Sequence, residues 1–369
     1  MLIGIPKEIK NGENRVALTP RGARQLVASG HRVVIETQAG ICSGYTDTHY
    51  RKSGAKITSS KRDLFRRAEL IVKVKEPEPE EYFLLQDNQI LFTFLHLADH
   101  RALTKTLLKK NITAFGYELV ETPEGHLPLL SSMSEIAGKL SVIIGANYLR
   151  RDWGGRGILL SEIEEKPEGH ITILGAGTVG LSALKIAHGL GCHVNIIDID
   201  VKKLRKIHLH YRKQVHTFLS RPSTIKRLLP ETNLLIGAVH IKGRKTERLV
   251  TKRMVQMMRP GSVIVDVAID QGGCVASSRV TTIQDPVFLY HGVTHFCVPN
   301  IPSLVCLTAT KALTDQTLPY IQKIARWGWP GVIEHEKNLL KGLYTADGKI
   351  LHPGLRLDKG KRKREMKMD

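Results

Sequence analysis

At 369 residues the chain exceeds what one hydrophobic core usually serves, so two domains are expected. A composition of 42% hydrophobic and 24% charged residues excludes a disordered or fibrous protein and fits a globular one. The formal net charge of +20 suggests an anionic partner or a basic surface.

That charge concentrates in two places. Residues 202–227 carry Lys202, Lys203, Arg205, Lys206, Arg212, Lys213, Arg221, Lys226 and Arg227 with no acid, and a basic tail begins at Lys359. Without interleaved aromatic residues or a recognition motif, a solvated face and tail are favoured over nucleic-acid binding. No uninterrupted apolar run reaches the ~18 residues of a membrane span, and the first residues carry no signal-peptide pattern. A cytoplasmic protein with no membrane segment is expected. Cys42, Cys192, Cys274, Cys297 and Cys306 are far apart with no C-x-x-C, so they read as packing thiols rather than as a disulfide framework or a metal site.

Residues 2–5 form a short apolar strand, followed by a polar excursion containing Arg15. Thr19 and Pro20 cap and start a helix that Gly30 stops. A strand at 32–36, helical stretches around 47–53 and ahead of residue 70, and a strand at 70–74 follow. The last runs into Lys75 and is ended by Pro77 and Pro79. Residues 90–95 are again a buried strand, with His96 at its end and a helix opening near Asp99. Strands alternating with helices imply an α/β protein with a doubly wound parallel sheet.

In such sheets ligands bind beyond the carboxyl ends of the strands. Arg15, Lys75 and His96 each follow a strand. Singly, each reads as an ordinary surface residue; their shared topological address makes them a candidate site. An Arg and a Lys together suit a small carboxylate with a neighbouring carbonyl, and a His moves protons near neutral pH.

A long apolar helix at 132–150 crosses to a second domain, with residues 153–157 as linker. There the strand at 170–174 runs into Gly175, Gly177 and Gly180, a G-x-G-x-x-G turn, and then a helix. The first glycine permits the turn, the second lets the backbone approach a pyrophosphate, and the third lets the helix pack on the strand. A second strand at 193–197 ends at Asp198, where a ribose hydroxyl belongs. An acid there repels a 2′-phosphate, so NAD is expected over NADP. Lys202 and Lys203 read as the solvated first turn of the next helix. Strands at 215–219, 233–238 and 261–270 follow, the last ending at Asp270, which is either a catalytic carboxylate or a cap for the next turn. Strands at 288–290 and 294–298 complete the sheet, and a helix from about 302 to 324 returns to the first domain.

Six segments are specific enough to carry a resemblance: I-G-I-P-K-E-I-K-N-G-E-N-R-V-A-L-T-P at the start, K-V-K-E-P at 73–77, F-L-H-L-A at 94–98, M-S-E-I-A-G at 133–138, G-A-G-T-V-G-L-S-A at 175–183 and V-D-V-A-I-D-Q-G-G-C at 265–274. From residue 1 to about 345 the chain resembles the bacterial L-alanine dehydrogenases, within the alanine dehydrogenase and transhydrogenase alpha-subunit family.

The resemblance implies two Rossmann-like domains, with an NAD domain at 129–306 inserted into a discontinuous catalytic domain at 1–128 and 307–369. It implies that Arg15 and Lys75 bind substrate and that His96 and Asp270 are catalytic. Ser134, Gly175, Gly177, Thr178, Gly180, Asp198, Lys203, Ser220, Val239, His240, Val267, Ala268, Ile269, Asp270, Val298, Pro299, Asn300 and Ile301 would hold NAD, and no metal is implied. L-Alanine would be converted reversibly to pyruvate and ammonium by a homo-oligomer, a hexamer in the family.

Lys203 stands where the family usually has Arg. Residues 240–248, the segment 303–307 with Leu307 in place of an arginine, and the basic tail also depart from the family pattern, touching cofactor affinity and assembly more than chemistry. Three readings stay open: an alanine dehydrogenase, the soluble NAD-binding subunit of a proton-translocating transhydrogenase, and a non-catalytic binding protein on this fold.

Overall fold

In the computed structural model, which describes residues 1–212, 215–239 and 246–355, with the side chain of Pro167 excepted, strand β1 (Leu2–Ile5) is buried along its whole length. Helix α1 (Pro20–Ala28) follows; the Thr19 hydroxyl accepts from the Gly22 N–H at 3.2 Å, Pro20 fills the first position, and Gly30 turns at φ +83°. Then come β2 (Arg32–Glu36), α2 (Asp47–Lys52), β3 (Lys56–Thr58), α3 (Lys61–Arg67), β4 (Leu70–Val72), β5 (Ile90–Thr93), α4 (Arg101–Lys109) and β6 (Thr113–Gly116).

The chain passes through α5 (Pro128–Leu149) to the small hairpin β7 (Glu162–Ile163) and β8 (Lys166–Pro167). Next are β9 (His170–Leu174), α6 (Thr178–Gly189), β10 (His193–Asp198), α7 (Val201–Tyr211), β11 (Val215–Leu219), α8 (Pro222–Leu228), β12 (Leu234–Gly237), α9 (Lys252–Val255), β13 (Val263–Asp266), β14 (Val287–Tyr290) and β15 (Val293–Phe296). Helix α10 (Cys306–Trp327) leads back to β16 (Leu343–Ala346) and β17 (Lys349–Ile350).

Two compact units result: Met1–Leu130 with the chain from Thr310 onward, and Ser131–Ala309. In the first, the strand order is β17-β16-β6-β5-β4-β1-β2-β3, parallel from β6 to β3 and antiparallel at β16 and β17. Connections diverge between β1 and β4, which makes that boundary the switch point. In the second, the order is β11-β10-β9-β12-β13-β15-β14, with only β14 antiparallel among these strands, and the switch point lies between β9 and β12. Both sheets are doubly wound: central strands such as β1, β4, β5, β12 and β13 are buried along their whole length and need a helical layer on either side, while the edge strands β3 and β14 are only partly buried.

Helix α5 is long and apolar enough to cross a membrane by length and composition alone, with mean hydropathy 1.3 over its window, 44% of which is buried inside the protein. Glu135 and Lys139 interrupt its apolar run, so the sequence shows no unbroken stretch. Its Gly138 presses on α6: a Cβ there would lie 2.1 Å from the Val179 carbonyl oxygen.

Two expectations change. Residues 153–157 are not a linker but belong wholly to the second unit, tied back by Gly157 N–H to the Leu149 carbonyl at 2.8 Å. The strand expected at 261–270 ends at Asp266, where the chain turns into a 3-10 helix, Val267–Gln271.

Candidate active site and dinucleotide cradle

At the end of β9, Gly175 adopts φ +101°, and a Cβ there would lie 2.6 Å from the Ala238 carbonyl oxygen. A Cβ on Gly180 would lie 1.8 Å from the Gly175 carbonyl oxygen. The fold itself therefore demands these two glycines. Gly177 differs: a Cβ there would meet nothing within 4 Å. It stands as the N-cap of α6 with no side-chain cap bond, so open ground lies before a helix start whose N–H groups attract anions. That cradle fits the pyrophosphate of a dinucleotide.

Asp198 ends β10 and is held by two main-chain donors, Ala176 N–H to Oδ2 at 2.6 Å and Asp200 N–H to Oδ1 at 2.8 Å. The first bond ties the acid to the glycine turn. Asp200 in turn caps α7, accepting from the N–H groups of Lys202 and Lys203 at 2.9 and 3.2 Å, which leaves both lysine side chains exposed in the first turn.

Thr178 opens α6, Ser220 follows β11 with its N–H on the Asp198 carbonyl at 2.9 Å, and Val239 follows β12. Val267, Ala268, Ile269 and Asp270 follow β13, and Val298, Pro299, Asn300 and Ile301 follow β15, Asn300 with φ 61°. These strands are parallel, so all these residues gather at the carboxyl edge of one sheet. Ser134 stands apart on α5, half-buried. His240 lies outside the described residues, as do Lys213 and the basic tail.

Two acids stand at the end of β13, Asp266 on the strand and Asp270 on the turn that follows. Asp266 is buried and accepts from the N–H groups of Cys274 at 3.1 Å and Val275 at 3.2 Å, so it is the cap of the following turn. Burial pushes its carboxyl above the usual range, and these bonds pull against that. Asp270 is exposed on the 3-10 turn.

In the first unit, Arg15, Lys75 and His96 follow β1, β4 and β5, three neighbouring strands beginning at the switch point. Arg15 is buried and paired along its guanidinium edge with Glu13, Nε to Oε1 at 2.7 Å and Nη2 to Oε2 at 2.5 Å. Burial alone would raise the Glu13 carboxyl; the Arg15 guanidinium, with help from the nearby Lys75 ammonium, holds it down at about 2. A forked pair of this kind fixes the plane of the guanidinium.

Lys75 is half-buried, and the Thr93 hydroxyl donates to its carbonyl at 2.9 Å. The preceding Lys73 is fully buried between Glu8 at 3.1 Å and Glu81 at 3.2 Å. Burial would depress its ammonium, and the two carboxylates outweigh that and raise it. One ammonium shared between two acids leaves Glu8 raised, burial outweighing the pull of Lys73. This buried network joins the loops after β1 and β4, which carry Arg15 and Lys75.

His96 lies three residues beyond β5 in the left-handed region, φ 45°, with its ring half-exposed and parallel to Phe94 at 6.0 Å. Its N–H donates to Glu118 Oε1 at 2.7 Å. Glu13, Glu118 and Asp266 were not singled out from sequence. Folding alone brings Glu118 to His96, 22 positions away, and Asp266 to Cys274, 8 positions away, whereas Glu13, two positions from Arg15, is legible as a local charge pair. Among the described residues, no group of three or more His, Cys, Asp or Glu is arranged to hold a metal ion.

Two doubly wound sheets, one of them ending in the glycine cradle, define a dinucleotide-binding protein. Comparison with known proteins narrows the class. Residues 4–137 match the family model for the alanine dehydrogenase/PNT N-terminal domain, and residues 141–353 the model for its C-terminal domain. The alanine dehydrogenase of Methanococcus maripaludis is 46% identical over 353 residues, covering 95% of each chain. A solved L-alanine dehydrogenase superimposes with a TM-score of 0.91 at 47% identity, over 96% of this chain and 97% of that one. A transhydrogenase from Sinorhizobium meliloti shares the fold, with a TM-score of 0.81 at 22% identity over 96% of this chain and all of that one. The chain belongs to the alanine dehydrogenase/PNT family.

Proposed function

We propose that the protein is an NAD-dependent alanine dehydrogenase, converting L-alanine and water reversibly to pyruvate and ammonium. The observation that carries this reading is the placement of Arg15, Lys75 and His96 after three neighbouring parallel strands at a switch point, a set suited to a small 2-amino or 2-oxo acid. On this reading the cofactor domain is 129–306 and the catalytic domain is 1–128 with 307–369.

Bound NAD supplies the acceptor for the hydride that leaves the substrate Cα. The chain supplies the rest. Arg15, its plane set by Glu13, pairs with the substrate carboxylate. Lys75 stabilises negative charge on the carbonyl oxygen in the reverse direction. His96 and Asp270 activate the water that adds to the imine and move protons through the carbinolamine, work typically worth ~10²–10⁴-fold per group. Gly175, Gly177, Thr178 and Gly180 would hold the cofactor's pyrophosphate and Asp198 its ribose, and Ser134, Lys203, Ser220, Val239, His240, 267–270 and 298–301 would complete its site.

The reading includes a cytoplasmic homo-oligomer, a hexamer by family resemblance, which light scattering of the purified protein tests. The decisive assay is alanine-dependent formation of NADH. Hydride exchange between two nicotinamide cofactors without any alanine oxidation would instead support the transhydrogenase reading, and neither activity would support the binding protein.

A further inference from the structure

Glu118 collects three donors from two separate parts of the first unit. Its Oε1 accepts from the His96 N–H at 2.7 Å and from the Tyr344 hydroxyl at 2.8 Å, and its Oε2 accepts from the Leu95 N–H at 3.2 Å. The same Oε1 lies 3.9 Å from His96 Nδ1. Glu118 stands on the turn after β6, His96 after β5, and Tyr344 on β16, the strand that returns from the far end of the chain.

We infer that Glu118 and Tyr344 are positioning residues for His96, so that the C-terminal return strand sets the geometry of the proton-handling imidazole. The inference rests on the proposed role of His96.

His96 holds φ 45°, a left-handed conformation that is uncommon for a residue with a Cβ and that its neighbours here help to hold. The two successive N–H groups of Leu95 and His96 both end on one carboxylate, and that fixes the peptide between them. The same carboxylate lies 3.9 Å from Nδ1, beyond a direct hydrogen bond but close enough for its charge to orient the ring, so that Nε2 is the nitrogen left to face substrate. Tyr344 then fixes the carboxylate. Its ring reaches Glu118 only because position 116 is glycine: a Cβ there would lie 2.4 Å from the Tyr344 ring and 3.0 Å from Glu118 Oε1. Burial, and after it the Glu118 charge, pushes the Tyr344 phenol well up, so it remains a donor across the working pH range.

The test uses full-length wild type, Glu118→Ala, Glu118→Gln, Tyr344→Phe and the Glu118→Ala/Tyr344→Phe double variant, with alanine oxidation, NADH binding by fluorescence and crystal structures as readouts. Glu118→Ala should lower kcat by about 30-fold with alanine KM and NADH affinity nearly unchanged, and Tyr344→Phe by about 5-fold. Glu118→Gln, which keeps one acceptor oxygen, should fall between Glu118→Ala and wild type, and it serves if the alanine variant does not fold. In the Glu118→Ala background, Tyr344→Phe should cost nothing more, because its path to His96 is already gone.

A kcat for Glu118→Ala or Glu118→Gln equal to wild type overturns the inference, as does the same penalty for Tyr344→Phe in both backgrounds. If wild type forms no NADH from alanine, the proposed function fails separately, and the crystal structures decide the positioning. His96 leaving φ 45° in the Glu118 variants supports it, and His96 unchanged there overturns it.

Discussion

The N–H of Ala176, between the first two glycines of the cofactor turn, donates to Asp198 Oδ2 at 2.6 Å, so the acid at the end of β10 also pins the turn at the end of β9. On the proposed reading this one carboxylate has two duties, selecting the cofactor and holding its cradle.

Wild type should use NAD far more efficiently than NADP. Asp198→Ala should narrow that gap by removing repulsion of a 2′-phosphate, a contact worth ~1–3 kcal/mol, and should also raise the KM for NAD as the turn loses its anchor. Steady-state kcat/KM with each cofactor measures both effects. Equal efficiency in wild type would sink the assignment of Asp198 to the ribose.

The glycines of the cradle should separate by cause. Gly180→Ala forces a methyl onto the Gly175 carbonyl oxygen, so the expected outcome is lost stability as well as lost NAD binding. Gly177→Ala meets nothing in the chain, so its melting temperature should stay near wild type while NAD affinity falls. Thermal unfolding beside NADH titration distinguishes the two. An unimpaired affinity in Gly177→Ala would mean that no ligand approaches that position closely.

On the proposed reading, Glu13 links acid stability to substrate binding. Its folded pKa of about 2 lies below the ordinary 4.5, so its contribution is fully present above about pH 4.5 and is lost as pH falls through about 2. The stability gap between wild type and Glu13→Gln should shrink by about 3 kcal/mol across that window, read from urea unfolding at stepped pH. At neutral pH the variant should also show a raised alanine KM, because an unheld guanidinium no longer presents its fork. An unchanged KM would remove Glu13 from the substrate site.

His96→Ala or Asp270→Asn should each cut turnover by ~10²-fold or more while NAD still binds, since proton handling is lost and the glycine turn is untouched. If both serve one water-addition step, the double variant should be little worse than the poorer single variant. Single-turnover NADH formation by all four proteins, wild type included, is the measurement. Multiplying penalties would mean independent action, and near-wild-type turnover in either single variant would count against the proposed mechanism.

Much of this protein was legible in the residues alone, because the signals concerned are local. Apolar runs such as Ile171–Leu174, a glycine turn that cannot carry side chains, Thr19 ahead of Pro20, and the acid closing β10 are each decided within a few positions. Arg15, Lys75 and His96 could be grouped because alternating strands and helices make the strands parallel, so residues that follow them share one edge of the sheet; the order of the strands came only from the structure. Helix-breaking and strand-ending chemistry misled only where it was read too coarsely, as at Asp266, where burial and two main-chain donors end the strand four residues before Asp270.

The hairpin of β16 and β17 was missed although Asp347-Gly348 marks its turn, with φ of 49° and 68°. With it went Tyr344. Only the tertiary structure could join Tyr344 to Glu118 across 226 positions, or seat Lys73 between Glu8 and Glu81. A carboxylate or an ammonium has many possible partners along a sequence, and only burial, which removes water as the competing partner, decides which one it takes.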